Sequence, residues 1–301
     1  MQIRGVLIED TFAEAFTMRV ARVLITGATP RWTMAAALKF TGFATSVIGC
    51  KVEASVEREL VASDTPDRRP GVSVLAMTMS KDDLAKRLVE RVGQTVLTCP
   101  TTACFDGLPE APDRVGVGSV LRFFGDGFQS SKLLGGERFW RIPVMEGEFL
   151  IQEKFGVQKA VGGGNFLILA RTAEAALASA EAAVDAMTGR PGVIMPFPGG
   201  VVRSGSKVGS RKAKTMIAST NDAFCPTLRA VTETALPADV NSVLEIVING
   251  VDAPAIAGAM RAGIAAACRE GVVAISAGNY GGKLGPHHFY LRQIMAEEQP
   301  Q

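Results

Sequence analysis

Histidine is nearly absent from this chain, with two residues in 301, and aromatic side chains make up only 6%. The two histidines, His287 and His288, are neighbours in a strand-like tail and so point to opposite faces. Without a third His and without a C-x-x-C pair, a zinc site has little to build on, and no metal is expected. Basic and acidic side chains balance at 32 against 30, and no basic stripe carries interleaved aromatics. Nucleic acid therefore has no electrostatic footprint here. No uninterrupted apolar stretch reaches the roughly 20 residues of a membrane span, and the N-terminal MQIRGVLIEDTF lacks the apolar centre of a signal peptide. The five cysteines (Cys50, Cys99, Cys104, Cys225, Cys268) are an odd number spread thinly through a long chain, which suits a reducing compartment better than disulfide staples. These absences leave a soluble cytoplasmic protein as the expectation.

What is present is an apolar fraction of 47% and a mean hydropathy of +0.20. The core must come mainly from Ala, Val, Ile and Leu; part of the apolar surface is covered by other subunits, or the core is simply Ala-rich. Two segments share one rhythm. The first runs Ser73–Ala76, a cap at Ser80 with Asp83, the helical LAKRLVERV and strand-like Thr95–Thr98. The second runs Ser242–Glu245, a cap at Asp252, a helix through APAIAGAMRAGIAAAC and the strand Val272–Ser276. Capping chemistry marks both helix starts, and Gly93 and Gly271 stand where the helices are expected to stop. A second pair precedes these: Val23–Thr26 into a helix from Thr29-Pro30 to Thr41-Gly42, and Phe166–Leu169 into a helix from Thr172 to Thr188-Gly189. The spacing predicts an α+β chain with an internal duplication: two ferredoxin-like lobes, each a split β-α-β arrangement with an antiparallel sheet. The lobes are drawn at 1–146 and 147–301, with a long Gly/Ser-rich insertion at 196–237 that is read as functional. Ala54–Pro70 and Ser119–Pro143 are expected to be the least regular parts of the first lobe.

Glu245 is the most informative position, because it interrupts the otherwise apolar strand VLEIVING while its repeat counterpart is Ala76. A carboxyl desolvated among Val and Leu has its pKa raised, which suits proton transfer near neutrality. The alternative is a Glu on the solvent face of the sheet or in a structural ion pair. Three glycine-rich stretches, at 156–166, 196–210 and 276–285, let a backbone approach a flat ligand or simply make turns. With Asn165, Lys207, Asn279 and Lys283 among them, they favour a ligand cleft. The cluster Ser219–Pro226 can recognise a polar heterocycle or cap a turn, and FFGDGF at 123–128 is a tight turn unless Asp126 faces a cleft. GVVRSGSK from Gly200 resembles a phosphate-binding loop but lacks the adjacent Gly-Lys pair and the strand–loop–helix context.

Together the blocks IEDTFAEAF, RVLITGATPRWTMAAALKFTGFATSVIGC, FFGDGF, GEFLIQEKFGVQKAVGGGNF, PFPGGVVRSGSKVGS, ASTNDAFCP, LEIVING and ISAGNYGGKLG resemble formylmethanofuran:tetrahydromethanopterin formyltransferases, from the first residues to about Leu291. The resemblance implies formyl exchange between a methanofuran-type amine and N5 of tetrahydromethanopterin, both as carrier substrates, with no prosthetic group. It also implies a homo-oligomer (dimer or tetramer), and in methylotrophic bacteria association with hydrolase subunits. In that setting Glu245 is the expected proton shuttle. The expected cleft residues are Gly162, Gly163, Gly164, Asn165, Ser206, Lys207, Asn221, Asp222, Asn279 and Lys283, with the backbone of Gly162–Gly164 or a nearby side chain as oxyanion donor.

Overall fold

The structure is a computed structural model that describes residues 1–296. By compactness the chain forms two units: Met18–Ala160, and Met1–Thr17 together with Val161 onward. In space the first seventeen residues thus belong with the C-terminal segments.

In the Met18–Ala160 unit the ordered elements are β1 (Phe12–Thr26, which enters from the other unit), α1 (Pro30–Thr41), β2 (Glu53–Leu60), β3 (Gly71–Thr78), α2 (Lys81–Arg91) and β4 (Ala103–Asp106). The strands lie in the order β2-β3-β1-β4, all antiparallel. β3 is buried along its whole length, consistent with its run of Val, Leu, Ala and Met at the centre of the sheet. Beyond β4, Gly147–Gln152 pairs in parallel and continues into a hairpin made by Ser130–Leu134 and Glu137–Val144.

The other unit repeats this plan. β5 (Lys154–Ala170) leads into it, followed by α3 (Ala173–Met187), β6 (Val193–Ile194), β7 (Ser242–Gly250), α4 (Ala253–Ala267) and β8 (Val272–Ser276). The order is β6-β7-β5-β8, again antiparallel. Short Val6–Ile8 adds to β8 in parallel. α3 and α4 pack against each other through small residues, and a side chain added at Gly263 would meet Met187 Sδ at 2.7 Å. Ala and Gly thus set the close approach of the two helices.

The helix boundaries follow their caps. The hydroxyls of Ser80 and Thr172 and the carboxylate of Asp252 accept from Asp83, Ala175 and Ala255 N–H. Three expectations fail. Thr95–Thr98 is not a strand, since α2 runs on into a π-turn at Val92–Val96 and the fourth strand is β4. Val92 and Val96 face the core one turn apart, and the Thr95 hydroxyl donates to Arg91 O, so these β-branched residues serve a helical face. Gly93 accordingly does not stop the helix; a side chain there would meet Leu121 Cδ2 at 2.9 Å. Ala54–Pro70 is only half irregular, because its charged first part is β2. Glu57 is buried there against Arg22 in a two-point ion pair (2.8 and 2.7 Å), and the Ser73 hydroxyl donates to it. Among the described residues no helix is long and apolar enough to cross a membrane. All five cysteines are free thiols.

Candidate functional site

Glu245 lies in the first half of β7, between two cavities that it lines together with Leu167, Asn221 and Phe224. The larger cavity, about 950 Å³, has an apolar wall of Leu177, Phe197, Val201 and Phe224, with Arg203 and Thr227 at its edge. The smaller, about 290 Å³, is polar and is walled by Thr11, Asn165, Ser206, Lys207, Asn279 and Tyr280. The Glu245 backbone is held on both sides. It pairs with Leu167 of β5, and it exchanges two hydrogen bonds with Val202 of the insertion (2.8 and 2.9 Å). Burial pushes the Glu245 carboxyl up to about 7. Its remaining exposure opens onto the cavities. Glu245 is half-buried, and among the described residues it forms no salt bridge.

Tyr280 stands on the smaller cavity. Its phenol is pushed up, first by burial and then by the charges of Glu245 and Glu14, while a hydrogen bond with Ser206 pulls the other way. Lys207 donates to Asp222, and Arg211 pairs with the other Asp222 oxygen at 3.0 Å. The Lys207 hydrogen bond is the main reason the Asp222 carboxyl is held low. These pairs span the insertion, which forms a two-stranded ribbon, Lys207–Val208 with Ala218–Ser219, and short turns.

The glycine block of β5 is a bulge: pairing with β7 shifts between Val161 and Gly164, and Gly163 has φ +92°. The Gly163 N–H donates to Asn249 Oδ1 (2.9 Å), so that donor is committed inside the fold. Gly164 faces Ile256, where a Cβ would sit 2.5 Å from Cγ2. Gly162, Gly163 and Gly164 line neither cavity, and Lys283 is exposed in the following turn. Asn165, Ser206, Lys207, Asn221 and Asn279 do line the smaller cavity around Glu245. Asn165 is also a clamp: its amide donates to Gly163 O and Gly278 O and accepts from Gly278 N–H (2.6 Å). Asn279 donates to the Thr11 hydroxyl and to Phe12 O.

Two residues escape a reading for motifs. Tyr280 sits between glycines and looks like part of a turn. Glu14 is 1% exposed, and its two oxygens accept from the N–H groups of Tyr280, Gly282, Leu284 and Gly285. Burial alone would raise the Glu14 carboxyl, but these donors outweigh it and hold it below the usual range. The signal was available: one acid within FAEAF, flanked by Ala13 and Ala15, both fully buried.

A family model described as formylmethanofuran-tetrahydromethanopterin formyltransferase matches residues 1–144, and its companion, the proximal lobe, matches 147–294. The chain belongs to this formyltransferase family. A formylmethanofuran–tetrahydromethanopterin formyltransferase of Methylobacillus flagellatus is 61% identical, over 98% of this chain and all of that protein. The solved formyltransferase of Methanosarcina barkeri is 52% identical, with a TM-score of 0.93, over 98% of this chain and all of that one. A chain of the formyltransferase/hydrolase complex of Methylorubrum extorquens, solved with methylofuran, is 49% identical with a TM-score of 0.96, covering all of this chain and 99% of its own. The mixed, mostly antiparallel α/β architecture is that of these formyltransferase structures.

Proposed function

We infer that this enzyme passes a formyl group between a methanofuran-type amine carrier and N5 of tetrahydromethanopterin, with Glu245 as the proton shuttle. The observation that carries the assignment is the placement of Glu245 at the junction of two cavities, where burial pushes its carboxyl up to about 7. Each cavity takes one carrier, so the donor formyl carbon and the acceptor nitrogen meet beside Glu245. The acceptor nitrogen attacks the formyl carbon and the C=O becomes a tetrahedral C–O⁻. Glu245 takes the proton from the attacking nitrogen and returns it to the leaving nitrogen as the old C–N bond breaks. A group half protonated at neutral pH serves either direction. The oxyanion needs donors, and with Gly163 N–H committed to Asn249 the side chains of Ser206, Tyr280 and Asn221 stand nearer the need. Asn165, Lys207, Asp222 and Asn279 shape the polar cavity, and Gly162, Gly163 and Gly164 let β5 bulge behind it. Lys283 meets the carriers' outlying anionic parts. The reaction as written calls for no metal or prosthetic group.

The chain is further read as a duplication of two ferredoxin-like lobes, 1–146 and 147–301, because β1–β4 and β5–β8 share one strand order and one helix placement. We propose a cytoplasmic protein that associates with copies of itself or with hydrolase subunits; the exposed Phe123, Phe124, Phe128, Leu133 and Leu134 of the Met18–Ala160 unit support such a contact surface. The formyltransferase/hydrolase complex of Methylorubrum extorquens supports the hydrolase-subunit part of this reading. The test of the reaction is formyl transfer between purified carriers by the wild type and Glu245→Gln. A fall of roughly a hundredfold or more, with carrier binding retained, is expected. Undiminished turnover removes Glu245 from the mechanism. No carrier-dependent transfer by the wild type overturns the assignment.

A further inference from the structure

The turn Tyr280–Gly285 closes around a carboxylate that belongs to the protein. Four consecutive-region N–H groups converge on Glu14, the Leu284 and Gly285 donors on one oxygen and the Tyr280 and Gly282 donors on the other, all within 2.5–2.9 Å. Backbone N–H groups curled in this way ordinarily trap a small anion. Gly281 and Gly282 provide the left-handed φ values (+73° and +70°) that the curl requires. At Gly285 a Cβ would lie 2.3 Å from Ala15 O, so the turn is pressed directly on the strand that carries Glu14. Glu14 lines neither cavity, yet the first residue it fastens is Tyr280, whose phenol reaches Ser206 in the smaller cavity beside Glu245. The Phe16 ring packs at 6.3 Å from the Tyr280 ring, on the same strand two residues on.

We propose that Glu14 is the positioning residue of the transfer site: an internal anion that fixes the turn Tyr280–Gly285 and through it the Tyr280 phenol against Ser206 and Glu245. The proposal rests on the transferase reading above for its kinetic consequence, but not for its structural one. A carboxylate is required because all four partners are donors and only a group with two acceptor oxygens satisfies them. A glutamine of the same shape presents one oxygen, and turns its NH₂ toward two N–H groups that then have no acceptor. The loss falls on the turn and on whatever the turn holds, leaving the sheet as it is.

The experiment compares wild type, Glu14→Gln, Tyr280→Phe and the double variant. Hydrogen exchange of the 278–286 segment is measured in the absence of carriers, and kcat/KM for formyl transfer is measured in their presence. Glu14→Gln is expected to speed exchange in that segment at least tenfold, with the other segments unchanged, and to lower kcat/KM by a factor of ten or more. Tyr280→Phe is expected to lower kcat/KM comparably. The double variant should be no worse than the weaker single variant, because both changes remove the same placed phenol. Unchanged exchange in Glu14→Gln overturns the anchoring. Multiplying kinetic effects in the double variant overturns the route through Tyr280. Should Glu14→Gln not fold, full activity in Tyr280→Phe alone refutes the proposal. A wild type without transfer activity, but with the expected exchange change, sinks the transferase reading and leaves the anchor intact.

Discussion

Replacing Glu245 with Gln is expected to make the protein more stable above neutral pH while it disables the enzyme. In the folded chain the carboxyl is displaced from 4.5 to about 7 by burial. In the unfolded chain it titrates at its ordinary value. Between those two pH values the folded state holds a proton that the unfolded state has lost, so stability falls as pH rises through that window. Below about 4.5 both states are protonated and the cost vanishes; above about 7 it is present in full. The displacement corresponds to about 3 kcal/mol at 1.36 kcal/mol per pH unit. Part of the carboxyl still meets water through the cavities, which brings the figure to about 1–3 kcal/mol. Gln has nearly the same shape and no charge to desolvate, so its advantage should be absent at pH 4.5 and fully grown by pH 8. At about 2–4 °C per kcal/mol, the scale for large domains, the variant should melt about 2–12 °C higher at pH 8. The assay is thermal unfolding of both proteins across pH 4.5–8.5, read as the difference between them. A Gln variant that is no more stable at pH 8, or whose advantage does not change with pH, refutes the claim that burial holds the proton on Glu245.

The same group should govern catalysis, so log kcat/KM for transfer should bend near pH 7; a flat profile from pH 6 to 8 would contradict this. Glu57→Gln should cost about 3–5 kcal/mol in denaturant unfolding, because it strands the Arg22 guanidinium and leaves Ser73 with a poorer partner; a loss below 1 kcal/mol would show the pair is not structural. Gly164→Ala should destabilise by about 1–3 kcal/mol, since its Cβ would overlap Ile256 Cγ2, whereas an unchanged melting temperature would mean that α4 can shift freely. Asp252→Ala removes the acceptor for Ala255 N–H at the start of α4 and should cost about 1 kcal/mol; circular dichroism melts would show it.

Local chemistry made much of this fold legible. Ser80, Thr172 and Asp252 announce their helices through caps that act over three residues, and Pro30 announces α1 by its place in the first turn. The errors arose where a distant partner decides. Val92 and Val96 have strand-forming side chains, but the core lies on a helical face, and no local pattern reveals which geometry tertiary packing will choose. Glu53–Leu60 looked too charged for a strand because Arg22, thirty-five residues before Glu57, cannot be paired to it by inspection. At the site, Glu245 is one acid in an apolar strand, and Glu14 is one acid between two buried alanines near the start of β1. Glu245 contrasts with Ala76 at the matching point of the similar segment Ser73–Ala76. The glycine stretches were legible as backbone approaches, but not what approaches them. At Gly163 it is Asn249, and at Gly285 it is the chain's own strand.

The two hydrogen bonds between Val202 and Glu245 tie the proton of the acid to the mechanics of the insertion. A carboxyl whose proton is retained by burial gives that proton up when water arrives. Lifting the Val202 segment admits water, so opening the site and ionising Glu245 are thermodynamically linked: each favours the other. Water access to Glu245 and retention of its proton thus depend on the same backbone pair.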